Sequence, residues 1–93
     1  MYLAKVIGRV VATTKDQSLA GAKLLIVCRL DARLAPYDDT EVAVDTVGAG
    51  DGETVIITTG SAGRFAGTFD HSVVDASIVG IVDTVECRPE VGV

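Results

Sequence analysis

The chain has 93 residues, eight Lys and Arg against thirteen Asp and Glu for a net charge of −5, and 48% apolar residues. That length holds one hydrophobic core, so residues 1–93 read as a single domain. The acidic balance and the few aromatics (Tyr2, Tyr37, Phe65 and Phe69, with no Trp) argue against a nucleic-acid binder and against attachment to anionic membranes, and no run approaches the ~20 apolar residues of a membrane helix.

Leu3 to Thr13 alternates, with Ala4, Val6, Gly8, Val10 and Ala12 on one apolar face and Lys5, Arg9 and Thr13 on the other, the pattern of a half-buried strand. Gly8 within it suggests a bend or a close backbone approach. The N-terminus enters this strand with no charged segment followed by an apolar one, so secretion is not expected. Lys15 to Gly21 reads as a loop. Lys23 to Leu30 is a second strand, apolar on both faces in its middle. A strand of a small sheet buries one face in its own core. Leu25 and Val27 are therefore subunit-contact candidates, unless a loop or short helix of the same chain covers them.

Asp31 to Asp39, with Pro36, reads as a connecting loop, and Glu41 to Val47 as a third strand. Gly48-Ala49-Gly50-Asp51-Gly52 is a turn-forming cluster, followed by a fourth strand from Glu53 to Thr59. Two strands joined this way are expected to form a hairpin, with the loop projecting from the barrel. Ser61 to Ala66 suits one short helical turn, and Asp70 to Asp75 is polar and irregular. Ile78 to Val85 is a fifth strand, covered on both sides at its start. The tail, residues 88–93, is expected to fray. The expected fold is all-β: a five-stranded, OB-like barrel with one short helix.

Little in the chain suggests catalysis. Gly48 to Glu53 holds G-x-G-x-G, but a P-loop requires a following Lys and hydroxyl, and a dinucleotide fingerprint requires a following helix. Here a strand follows, and Asp51 and Glu53 would repel phosphate. His71, the one histidine, reads as a solvated loop residue. Asp38, Asp39 and Glu41 read as a solvated acidic loop without EF-hand spacing. Cys28 and Cys87 form no metal-type pair and read by default as buried reduced thiols, with a bridge between them as the unsupported alternative. Asp45 and Asp83 fall within apolar strands, where a carboxylate must cap backbone amides or pair, for instance with an Arg across a subunit seam. No metal, cofactor or catalytic set is expected, and the expected compartment is the cytosol.

Four blocks in order carry a resemblance: Lys5 to Thr13, Leu19 to Val27, Val42 to Glu53 with Gly60-Ser61-Ala62-Gly63-Arg64, and Val74 to Asp83. Together they make the chain similar to the pentameric vertex proteins of bacterial microcompartment shells, the group shared by carboxysomes and by ethanolamine- and propanediol-type compartments. Two departures touch local geometry. Gly63 stands where the family has Ala before its Arg, and Val73 where a Pro often precedes the Val-Asp-Ala block.

The resemblance implies a barrel that forms a cyclic homopentamer and has no catalytic group, with a hexameric ring as the less expected closure of the same interface. It implies a place in the bacterial cytoplasm, at the corners of a polyhedral shell tiled by hexameric and pseudohexameric proteins. A flat hexagonal lattice cannot close without fivefold units. Subunit-contact candidates are then Leu25, Val27, Asp45, Arg64, Ile78, Val82 and Asp83. Gly48, Ala49, Gly50, Asp51, Gly52 and Glu53 are the candidate contact with the neighbouring tile. The competing expectation is an OB-like binding module for nucleic acid or a small ligand.

Overall fold

The computed structural model describes residues 1–13, 17–19, 21–60 and 75–89. Five strands occur among them: β1 (Tyr2–Val10), β2 (Lys23–Leu30), β3 (Pro36–Asp45), β4 (Thr54–Thr59) and β5 (Ala76–Val82). A single 3-10 turn, Gln17–Leu19, lies between β1 and β2. The expected helical turn at Ser61 to Ala66, together with Arg64 and His71, lies outside the described residues.

The strands close into a barrel in the order β1-β2-β3-β5-β4, with β4 returning to β1. All ladders are antiparallel except β3 with β5, which run parallel and pair only at Val44 with Ser77 and Asp45 with Ile78. The core is built from small and β-branched side chains. Ala4 and Val6 of β1, Val27 of β2, Val55 and Ile57 of β4, and Ile78 of β5 are all wholly or almost wholly buried. Such side chains suit a narrow barrel, because they fill it in one rotamer and stiffen the pleated backbone.

The structure departs from the sequence reading in several places. The third and fourth strands do not form a hairpin, because β5 lies between them. β1 stops at Val10, and a bulge between Val6 and Gly8 bends it where Gly8 approaches Ile26. β3 begins at Pro36, and Pro36 is tolerated there because it opens the strand. β5 ends at Val82, which leaves Asp83 exposed just beyond the strand. Cys87 is exposed too, in the extended segment after β5, while Cys28 is half-buried, and both are free thiols. The start of the expected frayed tail is held: the Arg33 guanidinium donates to the Arg88 carbonyl at 3.3 Å.

The Arg29 guanidinium lies 4.8 Å from the Tyr2 ring centroid and 5.5 Å from that of Tyr37. Cation–π contacts of this exposed kind contribute roughly 0.5–1 kcal/mol each.

Candidate functional site

Inside and outside alternate along β2, and closure of the barrel decides which is which. Leu25 and Val27 point inward with Ile78 and are almost fully buried in the chain's own core. This corrects their assignment as subunit contacts, since a side chain filling its own barrel offers nothing to a neighbour. The outward set is Leu24, Ile26 and Cys28, half-buried in the isolated chain.

Ile26 stands in a cross-strand row with Gly8 of β1 and Val42 of β3. Val42 is 50% exposed, and so is Ile7, the residue that the β1 bulge pushes out. These apolar groups lie outside the barrel with no core of their own. Val82 is half-buried at the end of β5, opposite Thr54 of β4.

The segment from Thr46 to Glu53 crosses from β3 to β4 and is anchored at several points. Asp45 Oδ1 accepts the Val47 and Gly48 amides at 3.0 and 3.1 Å, and Asp45 Oδ2 lies 3.4 Å from Lys23 Nζ. Lys23 Nζ also donates to the Ala49 carbonyl at 2.7 Å. Both the Thr46 amide and its hydroxyl donate to the Ile78 carbonyl, at 3.3 and 2.6 Å. Asp45 is therefore spent within the chain, capping backbone amides, and is withdrawn as a subunit contact.

Beyond it, Ala49 is completely buried in the core cluster. The segment thus folds down as a plug and does not project as expected. Gly48 and Gly52, at φ +81° and +82°, make the two reversals that this path requires. Glu53 Oε1 accepts the Gly50 amide at 2.6 Å, while the Gly52 amide donates to Val6 at 2.8 Å and the Val6 amide to Glu53 at 2.9 Å. Ala49 is buried and Gly50 half-buried, while Thr46 to Gly48 before them and Asp51 to Glu53 after them are exposed.

The fold perturbs the protonation of Glu41. It stands opposite Val27, a fully buried residue, and its pKa is raised above the usual carboxylate value first by burial and then by the negative charge of Asp75. Among the described residues no three His, Cys, Asp or Glu side chains converge on one point. No described helix is long and apolar enough to cross a membrane. An open groove between the end of β1 and the start of β2 is lined by Arg9, Val10, Val11, Ala12, Ala22, Lys23 and Leu24, with no carboxylate, thiol or imidazole among them.

Comparison with known proteins gives this geometry a context. The family described as "Ethanolamine utilisation protein EutN/carboxysome" matches residues 1–83. The bacterial microcompartment shell vertex protein GrpN of Rhodospirillum rubrum is 60% identical over 86 residues, which span 92% of this chain and 97% of GrpN. The bacterial microcompartment shell vertex protein PduN of Salmonella typhimurium is 46% identical over 91 residues, spanning 94% of this chain and 100% of PduN. The solved structure of the GrpN pentameric microcompartment shell protein superposes with a TM-score of 0.87 at 58% identity, covering 95% of this chain and 100% of that one.

Proposed function

Because the chain belongs to the EutN/carboxysome family of ethanolamine utilisation and carboxysome proteins, we propose that it is a structural shell protein whose copies close into a pentamer and cap the vertices of a bacterial microcompartment. The observation that carries this reading is the full-length match, in sequence and in fold, to a pentameric shell protein. The surface chemistry supports it. A chain this small leaves the apolar Ile7 and Val42 outside a core that is already complete, and burying them in a ring removes that apolar area from water. A cyclic ring of five introduces the curvature that a flat hexagonal lattice lacks.

In this reading the chain performs no reaction, acts in the bacterial cytoplasm within the shell, and has hexameric and pseudohexameric tiles as its neighbours. The exposed tip Asp51-Gly52-Glu53 is placed against the tile, with the anchored segment behind it fixing its shape. Arg64 and Asp83 remain subunit-contact candidates, as does Val82. A nucleic-acid-binding barrel has less support. The exposed ring of Tyr37 is engaged by Arg29, and Asp38 and Asp39 follow it directly on β3.

The test is native mass spectrometry at micromolar concentration, followed by co-expression with hexameric shell proteins. Rings of five that appear at the corners of closed shells support the reading. A stable monomer, or shells that close equally well without the chain, would reject it.

A further inference from the structure

Among the described residues, two half-strands have a neighbour on one side only. β4 pairs with β1 only from Tyr2 to Lys5, and Val6 is then taken by Gly52 and Glu53. The edge of β1 from Ile7 to Val10 has no strand beside it among the described residues. On the other side, β5 reaches β3 only at Val44 and Asp45. Among the described residues the start of β3, Pro36 to Thr40, pairs with β2 alone, and all of its residues are exposed. An open strand edge is a template for another chain unless something blunts it.

The two edges are not equivalent. They lie on opposite sides of β2 and at opposite ends of it: Val10 is beside Leu24, whereas Pro36 is beside Leu30. The β1 edge carries the exposed Arg9 and Ile7, and the β3 edge carries the exposed Tyr37, Asp38 and Asp39. No ion pair is formed by Arg9, Asp38 or Asp39 among the described residues. Two β3 edges brought together would set carboxylates against carboxylates. A β3 edge brought to a β1 edge sets them against Arg9. Contacts between two different patches of identical chains are head-to-tail, and they close into rings when the rotation allows.

We propose that the seam between copies joins the Ile7–Val10 edge of β1 in one to the Pro36–Thr40 edge of β3 in the next, with Arg9 facing Asp38 and Asp39. The occupant of each edge is thus a second copy of this chain. This inference rests on the ring reading of the preceding section and deepens it.

The experiment is charge reversal followed by charge exchange. Arg9→Glu and the double variant Asp38→Arg/Asp39→Arg are each expected to move ring dissociation to at least about tenfold higher protein concentration by native mass spectrometry. The combined chain, Arg9→Glu with Asp38→Arg/Asp39→Arg, is expected to regain rings, because every seam again joins opposite charges. Dissociation of the unaltered ring should rise with salt. Far-UV circular dichroism monitors folding.

If a reversed variant does not fold, Arg9→Cys with Asp38→Cys in a Cys28→Ala/Cys87→Ser background replaces it. That chain is expected to give a ladder of disulfide-linked oligomers after mild oxidation, and no ladder would overturn the proposal. Rings that ignore both reversals, or that fail to recover on exchange, would overturn it as well. So would intact rings that merely fail to enter shells, since the edges would then belong to another shell protein. A monomeric unaltered chain would reject the ring reading itself, which separates the two failures.

Discussion

Lys23 and Asp45 face each other directly across the β2–β3 ladder, with Nζ 3.4 Å from a carboxylate whose side chain is 1% exposed while that of Lys23 is 52% exposed. The asymmetry decides what each contributes. Asp45 is the buried acceptor of two backbone amides and the partner of one cation, so removing it takes an acceptor from three donors at once. Lys23 keeps most of its hydration, and its loss removes one donor from Asp45 and one from the Ala49 carbonyl.

Asp45→Ala is accordingly expected to destabilise the subunit by about 2–3 kcal/mol, and Lys23→Met by about 1 kcal/mol. Asp45→Asn, which can still accept from both amides, should fall between them. Urea unfolding at one fixed protein concentration checks the order, since assembly also contributes to apparent stability. Equal losses from Asp45→Ala and Lys23→Met would show that the amide caps matter little.

The inward and outward apolar residues make a second contrast. Ile78→Ala empties the centre of the core and should destabilise the fold by about 2–5 kcal/mol. Val42→Ala removes a half-exposed side chain and should change the stability of the unassembled chain by less than about 0.5 kcal/mol. Measured by ring mass instead, Val42→Ala should weaken assembly. A Val42→Ala chain that unfolds as readily as Ile78→Ala would contradict this division of the barrel into inside and outside.

Much of this architecture was legible in the residues. The limits of β2 agree with the reading from its apolar run, and five strands were expected and found. Faces were harder. Leu24 and Ile26 are chemically like Leu25 and Val27, so periodicity alone could not say which pair faces in. Barrel closure and the bulge after Val6 settle it. The glycine cluster misled about connection for a related reason: the residues that make a tight hairpin also make a loop that turns twice and crosses a barrel end. Asp45 was correctly seen to need a partner or a cap, but its register partner Lys23 lies on another strand, and no local pattern points to it. The exposed Arg9, Asp38 and Asp39 drew no notice as contacts, because unpaired edges become visible only once the ladders are known.

Backbone conformation gives a third expectation. Gly52 has φ +82° with open space where a Cβ would sit, whereas Gly50 has ordinary φ and a Cβ there would meet Glu53 Oε1 at 3.3 Å. Gly52→Ala should therefore cost about 1 kcal/mol through backbone strain, and Gly52→Asn less, because Asn adopts the left-handed region more readily. Gly50→Ala should cost less than Gly52→Ala, provided the Glu53 carboxylate shifts by a few tenths of an ångström. Thermal unfolding resolves these steps, at ~4–8 °C per kcal/mol for a domain of this size. With rings intact, Gly52→Leu should block entry into shells. Normal capping by rings of that variant would remove the loop tip from the tile contact.

Glu41 adds a pH-dependent contribution to stability. Its pKa in the folded chain is raised above the ordinary value of 4.5, first because burial beside Val27 disfavours the charged form and then because Asp75 is near. The folded state therefore holds this proton more tightly than the unfolded state does. The sign follows directly: the stabilisation is fully present below pH 4.5 and is lost as pH rises through the folded-state value. At neutral pH the ionised carboxylate is a liability, and Glu41→Gln should stabilise the chain. Solvent reaches this partly buried group, so the gain should stay below about 1 kcal/mol. Below pH 4 the side chain is protonated in both states, and the variant should lose its advantage. Urea midpoints for both chains, measured from pH 4 to pH 8, would show the difference opening with pH. A difference independent of pH would mean that Glu41 acts through packing or hydrogen bonding and not through its charge.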